Sequence, residues 1–446
     1  MLESGQNPST KIAKGAPMAH RTVKNSYSLL TDRLNKAPQG APPSALLNRI
    51  LAMLMNEKEA GLVAQLPIKP FTARKAARIW KMPEAEARLV LEELAGRALL
   101  VDVEKRGESW YVLPPPMAGF FEFSLMRTRG DLDQKALSEL FYQYITVEED
   151  FVKALFVGGE TQLGRTFVQE PMLPEDSAAY VLDYERATEV IETARHIGVG
   201  MCYCRHKKQH LGQACDAPMD ICMTFNSSAE SLTRHGHARA IEAAECKDLL
   251  AQAWEHGLVQ FGENVRQRVN FICNCCGCCC EAMIAHRRFA HMAPVHTTNF
   301  LPAIEADSCN GCGKCVSACP VEALSLVSAN DPGKPNRKAA KLDEHVCLGC
   351  GVCVRSCRQE ALELEPRAAR VITPVNNAHR YVKMAIERGT LQHLIWDNQV
   401  LLSHRLLAAL FGSIFKLPPV KKAMASEQMQ SRFLEAVLRR SPQRRP

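Results

Sequence analysis

Cys309-x2-Cys312-x2-Cys315-x3-Cys319-Pro320 is followed, after an interval, by Cys347-x2-Cys350-x2-Cys353-x3-Cys357-Arg358. Cysteines three apart in a tight, glycine-containing turn aim three sulfurs into one hollow, and a cubane iron–sulfur core needs a fourth thiolate from elsewhere. Glycine stands on both sides of the second cysteine in each run, as Gly311 and Gly313 and as Gly349 and Gly351. Without a side chain there, backbone amides can approach the sulfurs. A pair of zinc knuckles is the competing reading, but structural zinc sites usually show paired cysteines rather than two runs of four. Ala323 to Val327 and Ala361 to Leu364 read as short strands after each run, and Val327 to Leu342, with Pro332-Gly333, as a surface loop.

The segment from about Leu301 to Pro366 closely resembles the bacterial dicluster ferredoxins. The resemblance implies two [4Fe-4S] clusters, one on Cys309, Cys312, Cys315 and Cys357 and the other on Cys347, Cys350, Cys353 and Cys319. One departure stands out: Arg358 occupies the place that Pro320 holds in the first run. Ligation is expected to survive it, whereas the local turn and the electrostatics beside Arg358 do not carry over by analogy.

The 446 residues carry a formal charge of +7 and an apolar share of 46%. Such a charge permits an acidic partner without demanding nucleic acid, and the length has room for about two to four domains. The 19 cysteines fall in clusters with ligand spacing and follow no secretory signal. They read as reduced metal ligands in a cytoplasmic protein, not as a disulfide framework. The most hydrophobic stretch, Val400 to Phe415, is interrupted by His404 and Arg405, so no transmembrane span is expected. Neither a Walker loop nor a GxGxxG fingerprint appears.

The expected fold class is α+β and multidomain. Residues 1–40 read as a flexible tail. Residues 41–116 hold helices around Leu46 to Leu54, Thr72 to Trp80 and Glu84 to Arg97, then a hairpin of Leu99 to Glu104 and Ser109 to Leu113 with Gly107 in its turn. That order resembles a winged helix-turn-helix. Its third helix would enter the DNA groove, yet it carries Glu84, Glu86, Glu92 and Glu93 against Arg88 and Arg97. Nucleic acid is therefore not the expected partner, despite Arg74, Lys75 and Arg78, and a protein-docking role is preferred. Residues 117–196 read as a helical bridge, 197–296 as a mainly helical cysteine-rich domain, 297–366 as the dicluster ferredoxin domain, and 367–446 as a helical segment with a basic tail.

The cysteine-rich domain opens with Cys202-x-Cys204-Arg205-His206, continues to Cys215 and Cys222, and returns as Cys273-Asn274-Cys275-Cys276-Gly277-Cys278-Cys279-Cys280. Adjacent free thiols are an oxidation hazard unless something occupies them. Neighbouring side chains on an extended backbone point opposite ways, so the six cannot all serve one cluster. Some of Cys273, Cys275, Cys276, Cys278, Cys279 and Cys280 are expected to combine with some of Cys202, Cys204, Cys215 and Cys222 around one or two additional Fe-S clusters, with zinc on the same ligands as the alternative. The arrangement, over roughly Val181 to Pro366, resembles bacterial and archaeal iron–sulfur proteins that carry it upstream of a dicluster module, a resemblance that implies no particular reaction. Arg205 is a candidate to stabilise a cluster. His206, His210, His235 and His237 are candidate ligands or proton carriers, each with an ordinary hydrogen-bonding role as the simpler account, and Cys246 reads as a small buried hydrophobe.

These readings point to an iron–sulfur electron-transfer protein or oxidoreductase subunit with redox partner proteins. A cluster-based redox-sensing regulator and a reductase binding substrate at an upstream cluster are the alternatives. The apolar stripe within His393 to Phe415 is expected to pack on the body, with a partner groove or peripheral membrane contact as the other possibility.

Overall fold

The computed structural model describes residues 25–156, 159–174, 181–398 and 400–415, together with 417, 419, 420 and 423. The first part of the expected tail and the basic segment Arg439 to Pro446 lie outside these residues.

The tail expected over residues 1–40 is corrected in its second half. Ser26–Leu34 is a helix, opened by the Asn25 side chain accepting from Ser28 N. Leu30 and Leu34 are buried, and the buried Arg33 donates to the Leu66 and Pro67 carbonyls. A polar composition hid two apolar residues one turn apart.

The next unit is built from Ala45–Leu54, capped by Ser44, and Glu57–Val63, opened by an Asn56/Glu59 capping box. Strand β1 (Phe71–Thr72) leads into Ala73–Trp80 and Glu84–Gly96, followed by β2 (Val101–Lys105) and β3 (Glu108–Val112). The strands form a sheet in the order β1-β3-β2. Arg106 and Gly107 both take positive φ in the two-residue turn between β2 and β3, which suits the right-handed twist of the paired strands.

The mainly helical middle is corrected most. Six strands cross it in the order β4-β8-β9-β6-β5-β7: β4 (Gly164–Thr166), β5 (Ile197–Met201), β6 (Asp220–Phe225), β7 (Arg239–Ala240), β8 (Val259–Glu263) and β9 (Phe271–Cys275). Every pairing in it is antiparallel. Because β4 belongs to the stretch read as a helical bridge, the sheet also crosses the boundary expected at residue 196. Short runs such as Ile272, Met223 and Phe225 face an apolar core with Leu250 and Trp254. In the sequence these strands are masked by their own cysteines and by glycines such as Gly198 and Gly200.

Asp102 on β2 fastens the N-terminal unit to the middle. It accepts from Ser231 Oγ at 2.6 Å, pairs with Arg234 at 2.8 Å and meets His235 Nε2 at 3.1 Å. These partners hold its carboxyl below the usual range although burial opposes them. Asp102→Ala should cost about 2–4 kcal/mol, since it strands a buried hydroxyl and a guanidinium. Thermal denaturation would register it as a lower Tm.

His237 is buried with Nε2 2.9 Å from the Gly96 carbonyl, and burial pushes its pKa down to about 4. The unfolded chain takes up this proton near the ordinary value of 6.5. Between those limits the unfolded state holds more protons, so stability should fall as pH drops from about 6.5 to about 4. Denaturant midpoints of the wild type and of His237→Gln across that range would isolate the contribution.

At the C-terminal end, Asn377–Glu387 and Leu391–Ile395 pack Val382, Ala385, Ile386, Leu391 and Leu394 against Ile68. Arg380 pairs with Glu263 at 2.8 Å, and Asp397 reaches Lys75 at 3.8 Å. The last helix, Leu402–Phe415, buries Ala408 and Gly412 but leaves Leu402, Leu406 and Leu410 exposed. The expected packing of its stripe on the body is therefore only partial. Among the described residues no helix is long and apolar enough to cross a membrane.

Candidate metal centres

Two strand pairs frame the cysteine runs, β10 (Phe300–Ile304) with β13 (Leu362–Pro366) and β11 (Leu324–Ser328) with β12 (Lys338–Leu342). The loop expected over Val327 to Leu342 thus ends in a strand. Both runs repeat one backbone path: Gly311 and Gly313 have φ of +70° and +77°, Gly349 and Gly351 +68° and +89°. A Cβ on Gly311 would strike the Lys338 backbone, and one on Gly349 would strike the Phe300 carbonyl. Short helices, Lys314–Ala318 and Val352–Arg355, then carry the third cysteines.

Cys309, Cys312, Cys315 and Cys357 line one hollow, walled by Leu326, Ala340 and Leu362. In the other half, the charge of Cys319 bears on Cys347, Cys350 and Cys353, with that of Cys315 also raising Cys353. Burial pushes Cys347 up to about 11 and Cys350 up to about 12. Metals take the thiolate, so loading this half would release protons. Backbone amides already aim at sulfur here, Gly349 N at Cys347 Sγ over 3.3 Å and Ala323 N at Cys319 Sγ over 3.2 Å. Convergent thiols, glycine-cleared backbone and N–H donors to sulfur fit cubane clusters.

The two runs differ in their surroundings. The second run is held from outside the module by His286, 2.9 Å from the Val346 carbonyl, and by Gln169 N, which donates to Cys350 O, while Thr298 N within the module donates to Leu348 O. The first run faces outward, with Cys312 exposed. Arg358 is also exposed, whereas its counterpart Pro320 is buried.

The ten upstream cysteines separate into two sets. β5 delivers Cys202 and the Tyr203–His210 helix carries Cys204. Cys222 on β6 lies 3.8 Å, sulfur to sulfur, from Cys273 on β9. Cys275 shares the face of Cys273 two residues on, and its sulfur is 3.1 Å from that of Cys280. Further thiol contacts join Cys202 to Cys204, Cys204 to Cys280 and Cys273 to Cys275. These six form one connected array. The second set is Cys215, Cys276, Cys278 and Cys279, whose sulfurs all lie within 4.8 Å of one another.

Arg205 sits between the sets, fully buried, donating at 2.8 Å to both the Pro218 and Asn274 carbonyls. Burial favours its neutral form, but the charges of Cys202, Cys276 and Cys275 outweigh burial and raise its pKa. Lys207 and Glu281 form a buried ion pair under the Cys204 and Cys280 side. Burial pushes Lys207 down to about 8.

The four candidate histidines each make a hydrogen-bonding contact. His206 Nδ1 is 2.8 Å from the Leu125 carbonyl and its Nε2 3.1 Å from His210 Nε2, while His235 and His237 hold the contacts described above. Cys246 is buried in the apolar core, where burial pushes it up to about 12. Sequence reasoning missed Glu122. Burial pushes its carboxyl up to about 7, although Ala118 N and Gly119 N donate to it, and the Cys273 charge adds to the rise. Its only signal was a lone acid in the aromatic run Phe120 to Phe123.

Gly277 joins the upstream sites to the ferredoxin-type module. A Cβ on it would lie 2.6 Å from the Pro320 carbonyl oxygen, next to Cys319. Gly277→Ala must therefore push the Cys273–Cys280 segment off Pro320, at about 1–3 kcal/mol. A lower Tm with total iron retained is the expected result.

Residues 308–361 match the 4Fe-4S dicluster domain, which makes this stretch a ferredoxin-like iron–sulfur module. No curated protein and no solved structure matches the chain.

Proposed function

We propose that the protein is a cytoplasmic electron-transfer component of an oxidoreductase, with three iron–sulfur sites in a row. Cys309, Cys312, Cys315 and Cys357 hold the outer [4Fe-4S] cluster, and Cys347, Cys350, Cys353 and Cys319 the enclosed one. The six-thiol array of Cys202, Cys204, Cys222, Cys273, Cys275 and Cys280 holds a further cluster. The observation that carries this reading is the contact of Gly277 with Pro320, which seats the turn that starts just after Cys275 of the six-thiol array against the residue that follows Cys319. A redox partner protein docks at the face exposing Cys312, and the enclosed sites are shielded from water, which raises the weight of local charge and sulfur hydrogen bonds in setting potential.

The order of helices and the β1-β3-β2 sheet support a winged-helix-like scaffold for the N-terminal unit. Its Glu84–Gly96 helix exposes Glu84, Glu86, Glu92 and Glu93, and Lys69 and Lys75 face Asp397. An acidic face repels phosphate, so the unit is read as a docking module, and mobility shift with and without dithionite should show no specific DNA complex.

The test of the main reading is iron and acid-labile sulfide per chain on anaerobically purified protein, with reductive titration followed by electron paramagnetic resonance. About twelve irons are expected if the upstream site is a four-iron cluster. About eight would remove the upstream cluster and leave a two-cluster carrier.

A further inference from the structure

We infer that Cys215, Cys276, Cys278 and Cys279 form a site for one zinc ion, separate from the electron path. The spacing of the sulfurs is the first argument. Cys215 Sγ stands 3.6 Å from Cys276 Sγ and 3.8 Å from Cys279 Sγ, and Cys278 Sγ stands 3.7 Å from Cys279 Sγ. A tetrahedron with zinc–sulfur bonds of about 2.3 Å has edges of about 3.8 Å. A cubane interposes its own four irons and spreads its thiolates well beyond such an edge.

The same chain supplies the contrast. Among the described residues, these four make the one group of three or more cysteine, histidine or carboxylate ligands whose donor atoms all lie within 4.8 Å of one another. Neither quartet of the dicluster module is drawn together in this way, although Cys309, Cys312, Cys315 and Cys357 line one hollow. The six-thiol array does not meet it either, being an extended chain of contacts. Close pairs occur in that array too, Cys222 with Cys273 at 3.8 Å and Cys275 with Cys280 at 3.1 Å, but among the described residues only Cys215, Cys276, Cys278 and Cys279 bring four sulfurs mutually within the reach of a single ion.

The local chain path agrees. Cys276-Gly277-Cys278-Cys279 turns tightly between β9 and the Glu281–Arg288 helix, and Cys215 enters from the segment that follows Tyr203–His210. Four thiolates fill a tetrahedral ion and leave no open position, which is the signature of a structural rather than a catalytic zinc. Zinc has no redox chemistry of its own, so the ion would not carry electrons. It would staple the Cys215 segment to the turn whose Gly277 rests on Pro320, and so hold the six-thiol array in register with the enclosed half of the module.

The experiment uses the full chain, prepared anaerobically and dialysed against a chelator that removes loosely held metal. One zinc per chain is expected in the wild type, with a zinc-edge X-ray absorption spectrum fitted by four sulfurs at about 2.3 Å. Cys215→Ser and Cys278→Ser should each lose the zinc while keeping the iron and sulfide of the wild type. Wild type without zinc, a zinc shell containing nitrogen or oxygen, or variants that lose about four irons with the sulfide would overturn the assignment. Should a variant fail to fold, the absorption spectrum of the wild type still decides the ligand set. Iron counts test the electron-transfer reading separately, so the two can fail independently.

Discussion

Cys319→Ser should remove the same cluster as Cys347→Ser, and Cys357→Ser the same one as Cys309→Ser. Each variant should lose about four irons per chain and one reductive step, and the two pairs should be distinguishable by which step disappears. The expectation rests on the crossing of the chain, since Cys319 bears electrostatically on Cys347, Cys350 and Cys353 while Cys357 lines the hollow of Cys309, Cys312 and Cys315. Serine is close in size to cysteine, so the loss would reflect missing thiolate rather than a cavity. The two losses should also differ in consequence. The enclosed half is tied to the rest of the chain through Gln169 and His286, so emptying it should lower Tm more than emptying the outer half, where Cys312 already meets solvent. Equal iron loss from either cluster by Cys319→Ser and Cys309→Ser with indistinguishable redox steps would contradict the crossing.

Arg205→Leu should be the most damaging single change outside the ligands. It strands two buried carbonyls, those of Pro218 and Asn274, at about 1–3 kcal/mol each. It also removes the cation that faces the thiolates of Cys202, Cys276 and Cys275. An electron added to the proposed upstream cluster would raise its negative charge, which a nearby cation favours. Loss of the cation should therefore move that potential negative, by roughly 60 mV for each 1.4 kcal/mol of lost interaction in a one-electron step. Arg205→Lys separates the two effects. Lysine keeps the charge but cannot reproduce a planar fork reaching two carbonyls, so it should lose stability while largely holding the potential. Redox titration beside thermal denaturation of both variants would show it, and a potential equally shifted in both would point to misplacement of the thiols.

The electrostatic arrangement around Arg205 explains why charge alone at the sequence level said little. The chain places a buried ion pair, Lys207 with Glu281, and a buried arginine beside ten cysteines. In sequence these are an ordinary basic run, Arg205 to Lys208, and an acid at a helix start. Only the fold removes them from water and turns them toward sulfur, where each is worth far more than at a surface.

Much was legible before any coordinates. The ferredoxin-like module follows from local rules: cysteine spacing of three, and glycine where a side chain would block the turn. The N-terminal hairpin follows from the turn at Gly107, and the Glu84–Gly96 helix from its periodicity. The early helix at Ser26–Leu34 and the six-stranded sheet were not legible, because a composition or motif reading weights the polar residues and the cysteines over short apolar runs.

What the sequence determined by itself was the kind of chemistry, since ligand type and spacing are one-dimensional properties that survive any fold. It also led to the expectation that the six clustered cysteines divide, argued from alternation on an extended strand, but only Cys273 and Cys275 lie on β9 and the residues after them turn. How they divide was decided only in three dimensions. β6 brings Cys222 beside Cys273, the helix after β5 turns Cys204 toward Cys280, and a distant loop carries Cys215 to Cys276 and Cys279. These partners are separated by up to 76 residues, Cys204 to Cys280, and sheet registry is what sets them face to face; no local spacing encodes that.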